Sequence, residues 1–205
     1  MNYETLIEYK NYTLSKVRAH EDEFNPFILN QVDIFEQRCN LLIEEHKLKT
    51  TIKANKEIID DEEDKIIADV YKFLDFGYKK LDSLSPDVLK IYFPDLPSTT
   101  KDNLNKILKM YKSVLLIMEN DEYNELNGLI NEYKSSIATI EAFLPKKNDI
   151  TFKKEDNSKK HAKALASGIS QYAILKLYFK AHFYEKERDY KYFFKDLGNP
   201  KPKKK

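Results

Sequence analysis

The sequence is poor in cysteine, glycine and proline, and these shortages narrow the class of protein. A single cysteine, Cys39, excludes an internal disulfide framework and suits a reducing compartment. Four isolated glycines (Gly77, Gly128, Gly168 and Gly198) cannot build a glycine-rich phosphate cradle. With only seven prolines as well, long stretches run free of both helix breakers, which points to an all-α protein. No His-Glu-x-x-His, paired Cys-x-x-Cys or EF-hand loop occurs. None of the four histidines has Glu three residues before it, so the Glu-x-x-His signature of di-iron bundles is missing too. The N-terminal MNYETLIEYK has no apolar run, and no secretory leader is expected.

What is present is apolar residues at helical spacing. Tyr3, Leu6, Ile7, Leu14, Val17 and Phe24 form a stripe over 3–24. Ile28, Val32, Phe35, Cys39, Leu42 and His46 follow a 4-3-4-3-4 spacing, the seam of a bundle or coiled coil, on a helix running to about Asn55. The acidic run Asp60–Asp64 reads as the start of the next helix, since carboxylates favour a helix N-terminus. Ser85-Pro86-Asp87 has the order of a capped start, and Pro94 and Pro97 soon end that element, placing a bend at 94–100. Leu104 to Met118 and Leu126 to Leu144 carry two further stripes whose phase slips at Asn120-Asp121, favouring two helices over one.

Pro145 is expected to stop the second of these, leaving a flexible loop over 145–158. A last helix then runs from about Ser158 to Leu197, closed by Gly198 and Pro200. Its run YAILKLYFKAHFY (172–184) is apolar around nearly its whole circumference and calls for cover on every side. It is shorter than the about 20 apolar residues a membrane span needs. It also carries Lys176 and Lys180, so membrane insertion is not expected. The expected architecture is an antiparallel helical bundle of about five to seven helices, one domain over 1–197, with this helix central and 198–205 a disordered basic tail.

Charge is divided unevenly. Residues 1–145 hold 18 basic and 27 acidic side chains, a net of −9, whereas residues 146–205 hold 17 and 7, a net of +10. Such asymmetry points to a partner or to one segment packing on the other. The C-terminal segment also interleaves rings with charge. Tyr190, Tyr192, Phe193 and Phe194 must bury against something, and exposed apolar patches of that size mark interfaces. The leading expectation is therefore a non-catalytic helical interaction or structural subunit, cytoplasmic, meeting a protein partner or a second copy through those rings. The alternative is a nucleic-acid-binding module, in which Lys186, Arg188, Lys191, Lys195, Lys201, Lys203, Lys204 and Lys205 neutralise phosphates and the rings stack on bases.

A weaker enzymatic alternative rests on carboxylates. Asp33 with Glu36, and Glu57 with Asp60, are each three residues apart, and two such pairs on facing helices can hold Mg²⁺. The pattern resembles that of the all-α nucleotide pyrophosphohydrolases, Glu-x-x-Glu followed by Glu-x-x-Asp on the next helix, with Asp33 departing from it at the first position. The resemblance implies a Mg²⁺-dependent hydrolase; a chain with 34 acidic residues also produces such pairs on solvated helix faces. His46 and Cys39 lie two turns apart, about 10 Å along a helix, too far to share an ion. Cys39 is then a small core hydrophobe. No cofactor or small-molecule substrate is indicated.

Overall fold

In the computed structural model, which describes residues 1–80, 86–93, 104–120, 127–184 and 189–195 (backbone alone at 76–80 and 86–87), the protein is all-α. Among the described residues there are five α-helices and no strand: α1 (Tyr3–Arg18), α2 (Pro26–Lys80), α3 (Pro86–Tyr92), α4 (Leu104–Glu119) and α5 (Asn127–His182). A 3-10 turn at Glu21–Glu23 links α1 to α2, and another spans Tyr190–Phe193. Asn2 caps α1 by accepting from the Thr5 N–H at 2.9 Å, satisfying one of the donors every helix start leaves open. The expected bend at 94–100 and the tail at 198–205 lie outside the described residues.

The chain forms two compact units, residues 1–51 with 154–205 and residues 52–153, so that α2 and α5 each contribute to both. In the first unit the α2 seam behaves as its spacing predicts. Ile28, Val32, Phe35, Cys39 and Leu42 are buried against Leu6, Tyr9, Leu14 and Val17 of α1 and Tyr172, Leu175 and Phe179 of α5. Burial pushes the Cys39 thiol up to about 11, consistent with an inert core residue. In the second unit Tyr111 of α4 and Tyr133 of α5 meet edge to face at 4.7 Å amid Ile66, Val70, Ile107 and Ile140.

Three expectations about element boundaries are corrected. The acidic run does not start a helix, because α2 continues unbroken through it to Lys80. Three of its carboxylates are paired in mid-helix: Asp60 with Lys56, Glu62 with Lys146 at 3.0 Å, and Glu63 with Lys147 at 2.6 Å. The loop expected at 145–158 is helical, since α5 passes through Pro145. A mid-helix proline costs one backbone hydrogen bond and about 3 kcal/mol. Just beyond it the Lys146 and Lys147 ion pairs tie α5 to α2, and Ile150 and Asn157 are buried. Asn157 donates to both the backbone oxygen and the carboxylate of Glu45 (3.2 and 2.9 Å), satisfying a polar group that faces inward.

Finally, the last helix ends at His182 rather than near Leu197. Beyond it, a 3-10 turn capped by Asp189, whose carboxylate accepts from the Lys191 N–H at 2.9 Å, sets Phe193 and Phe194 in the first unit's core.

Candidate functional site

The four rings expected to face a partner are mostly consumed by the protein's own core. Phe193 is fully buried and stacks on Phe183 at 5.2 Å; Phe194 is buried against Phe179 at 5.0 Å; Tyr190 is half-buried. Tyr192 is the exposed one, and α1 holds it. Its backbone oxygen accepts from Tyr12, its hydroxyl lies 3.2 Å from Lys16 Nζ and 3.3 Å from His20 Nε2, and the Lys16 ammonium sits 4.5 Å from its ring centroid. Of the expected partner-binding set Tyr190, Tyr192, Phe193 and Phe194, the two phenylalanines are therefore core residues, and Tyr192 helps to fasten the segment onto α1.

The same packing takes Phe193 and Phe194 out of the stacking platform expected for the nucleic-acid alternative. Of its basic residues, Lys191 is exposed and Lys195 is paired with Glu8, whose hydrogen bond raises the Lys195 pKa. Lys186, Arg188, Lys201, Lys203, Lys204 and Lys205 lie outside the described residues.

A Mg²⁺ site needs Asp33, Glu36, Glu57 and Asp60 on two facing helices, whereas all four stand on the single helix α2, one pair in each unit. Glu36 is instead bound by both oxygens to one Arg18 nitrogen at 3.1 Å, and Asp60 pairs with Lys56. Among the described residues no group of three or more His, Cys, Asp or Glu is placed to hold a metal ion. His46 meets another histidine rather than Cys39. Its Nδ1 lies 3.4 Å from His161 Nε2, and Tyr3 stacks on its ring at 3.8 Å. A cleft in the second unit is lined by Asp69, Ser135, Ser136 and Thr139, and the Thr139 hydroxyl donates to the Ser135 backbone oxygen.

The feature that stands out is an apolar face left bare in the first unit. Beside its buried seam, α2 carries a second stripe at seven-residue intervals: Phe27, Ile34, Leu41 and Leu48. Three of these are exposed, at 53, 51 and 47%, and Ile34 is half-buried. Residues seven apart on an α-helix drift by only about 20°, so the four form one nearly straight ridge.

Helix α5 extends the face. Ile174 and Leu177 are exposed, Leu177 at 68%, and Tyr178 packs edge to face on Phe27 at 5.1 Å. Among the described residues, the apolar run 172–184 is thus covered on one side, by the core that includes Tyr172, Leu175, Phe179 and Phe183. Between the two ridges the helices are joined by Gln171 to Gln31 (3.0 Å) and Arg38 to the Ser167 oxygen (3.4 Å).

α1 occupies the other flank of α2, through Lys10 to Asn40 (2.6 Å) and Arg18 to Glu36, and leaves the Phe27–Leu48 ridge uncovered. A seven-residue apolar repeat is legible in sequence; this one runs alongside a stronger seam on the same helix and merges with it. No helix among the described residues is long and apolar enough to cross a membrane. Comparisons with family models, with curated proteins and with solved structures find no match to this chain.

Proposed function

We propose that this protein is a non-catalytic helical interaction module, and that its contact surface is the bare face of α2 and α5 rather than the C-terminal rings. The observation that supports this reading is the ridge Phe27, Ile34, Leu41 and Leu48, flanked by Ile174 and Leu177. Single exposed hydrophobes are ordinary on any surface, but a contiguous row at heptad spacing is the pattern one helix presents to another. Burying a Leu or Phe side chain contributes about 1.5–3 kcal/mol, so a few such residues give a helix-sized contact ample driving force before ordering costs. A cytoplasmic setting belongs to the same proposal: the one thiol is buried in the seam and offers no disulfide to an oxidising compartment.

Hydroxyl-radical footprinting tests the reading. Phe27, Leu41 and Leu177 should be protected in intact cells relative to the dilute purified chain, while Glu4-proximal residues on the far side of α1 react equally in both. Equal reactivity of Leu41 and Leu177 in cells and in dilute solution would remove the proposed surface.

A further inference from the structure

Resting on that reading, we infer that the occupant of the bare face is a second copy of this chain, with α2 of each copy laid over α5 of the other. The face is complementary to itself. Its α2 side is a ridge of large side chains, whereas the outer flank of α5 is a strip of small exposed ones, Ala162, Ala166, Ser170 and Ala173, spaced 4-4-3. Large residues on one helix and small ones on its neighbour are what interdigitated helix packing requires.

The register within one chain shows that the two sets match in height. Glu45 with Asn157, Arg38 with Ser167, Gln31 with Gln171 and Phe27 with Tyr178 fix α2 and α5 as antiparallel and level along their shared length. Interpolated along this ladder, Leu41 stands level with Ala162, Ile34 with Ser170, and Phe27 with Leu177. A two-fold axis parallel to the helices preserves height and carries each α2 onto the partner's α5. It therefore seats Leu41 on the partner's Ala162 and Ile34 on the partner's Ser170. Both contacts occur twice, as an isologous interface demands.

Charge selects the same arrangement. The α2 flank carries exposed Glu44 and the α5 flank exposed Lys159, again level with each other, so the same axis brings Glu44 to the partner's Lys159. An axis perpendicular to the helices would set α2 on α2, ridge against ridge, with Asp33 and Glu44 of one copy facing the acidic flank of the other. Like charges, and a ridge of large residues opposed to its own copy along the whole length instead of at Phe27 and Leu177 alone, disfavour that alternative.

The test uses the full chain in sedimentation equilibrium and a cysteine cross-linking assay. The wild type should approach twice the 24.3 kDa chain mass, and Leu41→Glu should weaken association at least tenfold with its helical circular dichroism unchanged. Glu44→Lys and Lys159→Glu should each weaken it, and the double reversal should restore it. A Leu41→Cys chain mixed with an Ala162→Cys chain should cross-link between copies, whereas Leu41→Cys alone should not. Cross-linking of Leu41→Cys with itself would overturn the α2-over-α5 arrangement. A monomer at every concentration whose Leu41 is nevertheless protected in cells would overturn the second copy and leave the interaction surface standing. A monomer without that protection would remove both.

Discussion

His46 and His161 face each other across α2 and α5 with ring nitrogens 3.4 Å apart, and Tyr3 of α1 stacks on His46 to close the group. Desolvation, then the positive charge of Lys49 and the neighbouring His46, hold the His161 pKa below its ordinary 6.5, with Glu45 opposing. The fold therefore favours neutral His161. Its contribution to stability is present above pH 6.5 and is lost as pH falls through the lowered value. Thermal unfolding followed between pH 7.5 and 5 should show Tm falling on the acid side, with a shallower fall in His161→Gln. An NMR titration placing His161 at or above 6.5 would show the cluster has no such bias.

The two edge-to-face tyrosines of the second unit separate a useful hydroxyl from a costly one. Tyr133 donates to the Tyr92 backbone oxygen, whereas the buried Tyr111 hydroxyl has no partner among the described residues. Burial raises both phenol pKa values far above their ordinary range. Tyr133→Phe removes that buried hydrogen bond and should cost about 0.5–1.5 kcal/mol. Tyr111→Phe should be neutral or stabilising. Denaturant unfolding of the two variants checks the ordering, and equal losses would contradict it.

Two helical glycines should respond to alanine with opposite signs. A Cβ on Gly168 would meet Leu6 Cδ2 at 2.8 Å, and Leu6 is fully buried, so its methyl has nowhere to retreat. Gly128 has nothing within 4 Å. Gly128→Ala should gain some of the roughly 1 kcal/mol of helix propensity, reduced by its place in the first turn. Gly168→Ala should lose about 1 kcal/mol or more to overpacking after that gain is counted. The measurement is Tm; a rise in both would mean that α1 yields easily at Leu6.

Phe193 should behave as a core residue. Phe193→Ala removes a fully buried ring packed on Phe183 and Phe24, and should cost about 3–5 kcal/mol. Self-association of the fraction that remains folded should be unaffected. A variant as stable as the wild type but unable to associate would return the C-terminal rings to the role of a contact surface.

Much of the helical architecture is legible in sequence because periodicity reports it directly, as Ile28 to Leu42 and Leu104 to Met118 show. What escapes is settled by partners distant in the chain. Pro145 reads as a stop because Lys147 finds Glu63 84 residues away, and because Asn157 fills an inward position with a polar side chain. Phe193 and Phe194 read as surplus rings because a short 3-10 turn leaves no periodic trace. The bare ridge is the reverse case. Phe27, Ile34, Leu41 and Leu48 are plain in sequence, but apolar spacing alone cannot say which of two stripes on one helix is covered.

The most direct measurement places a photo-activated cross-linker at position 41 of the full-length chain in cells, with position 4 as the control. A discrete adduct at twice the chain mass from position 41, absent from position 4 and lost when Leu177→Glu is added, is the predicted result. Indistinguishable labelling from the two positions would mean that the ridge of α2 is ordinary solvated surface.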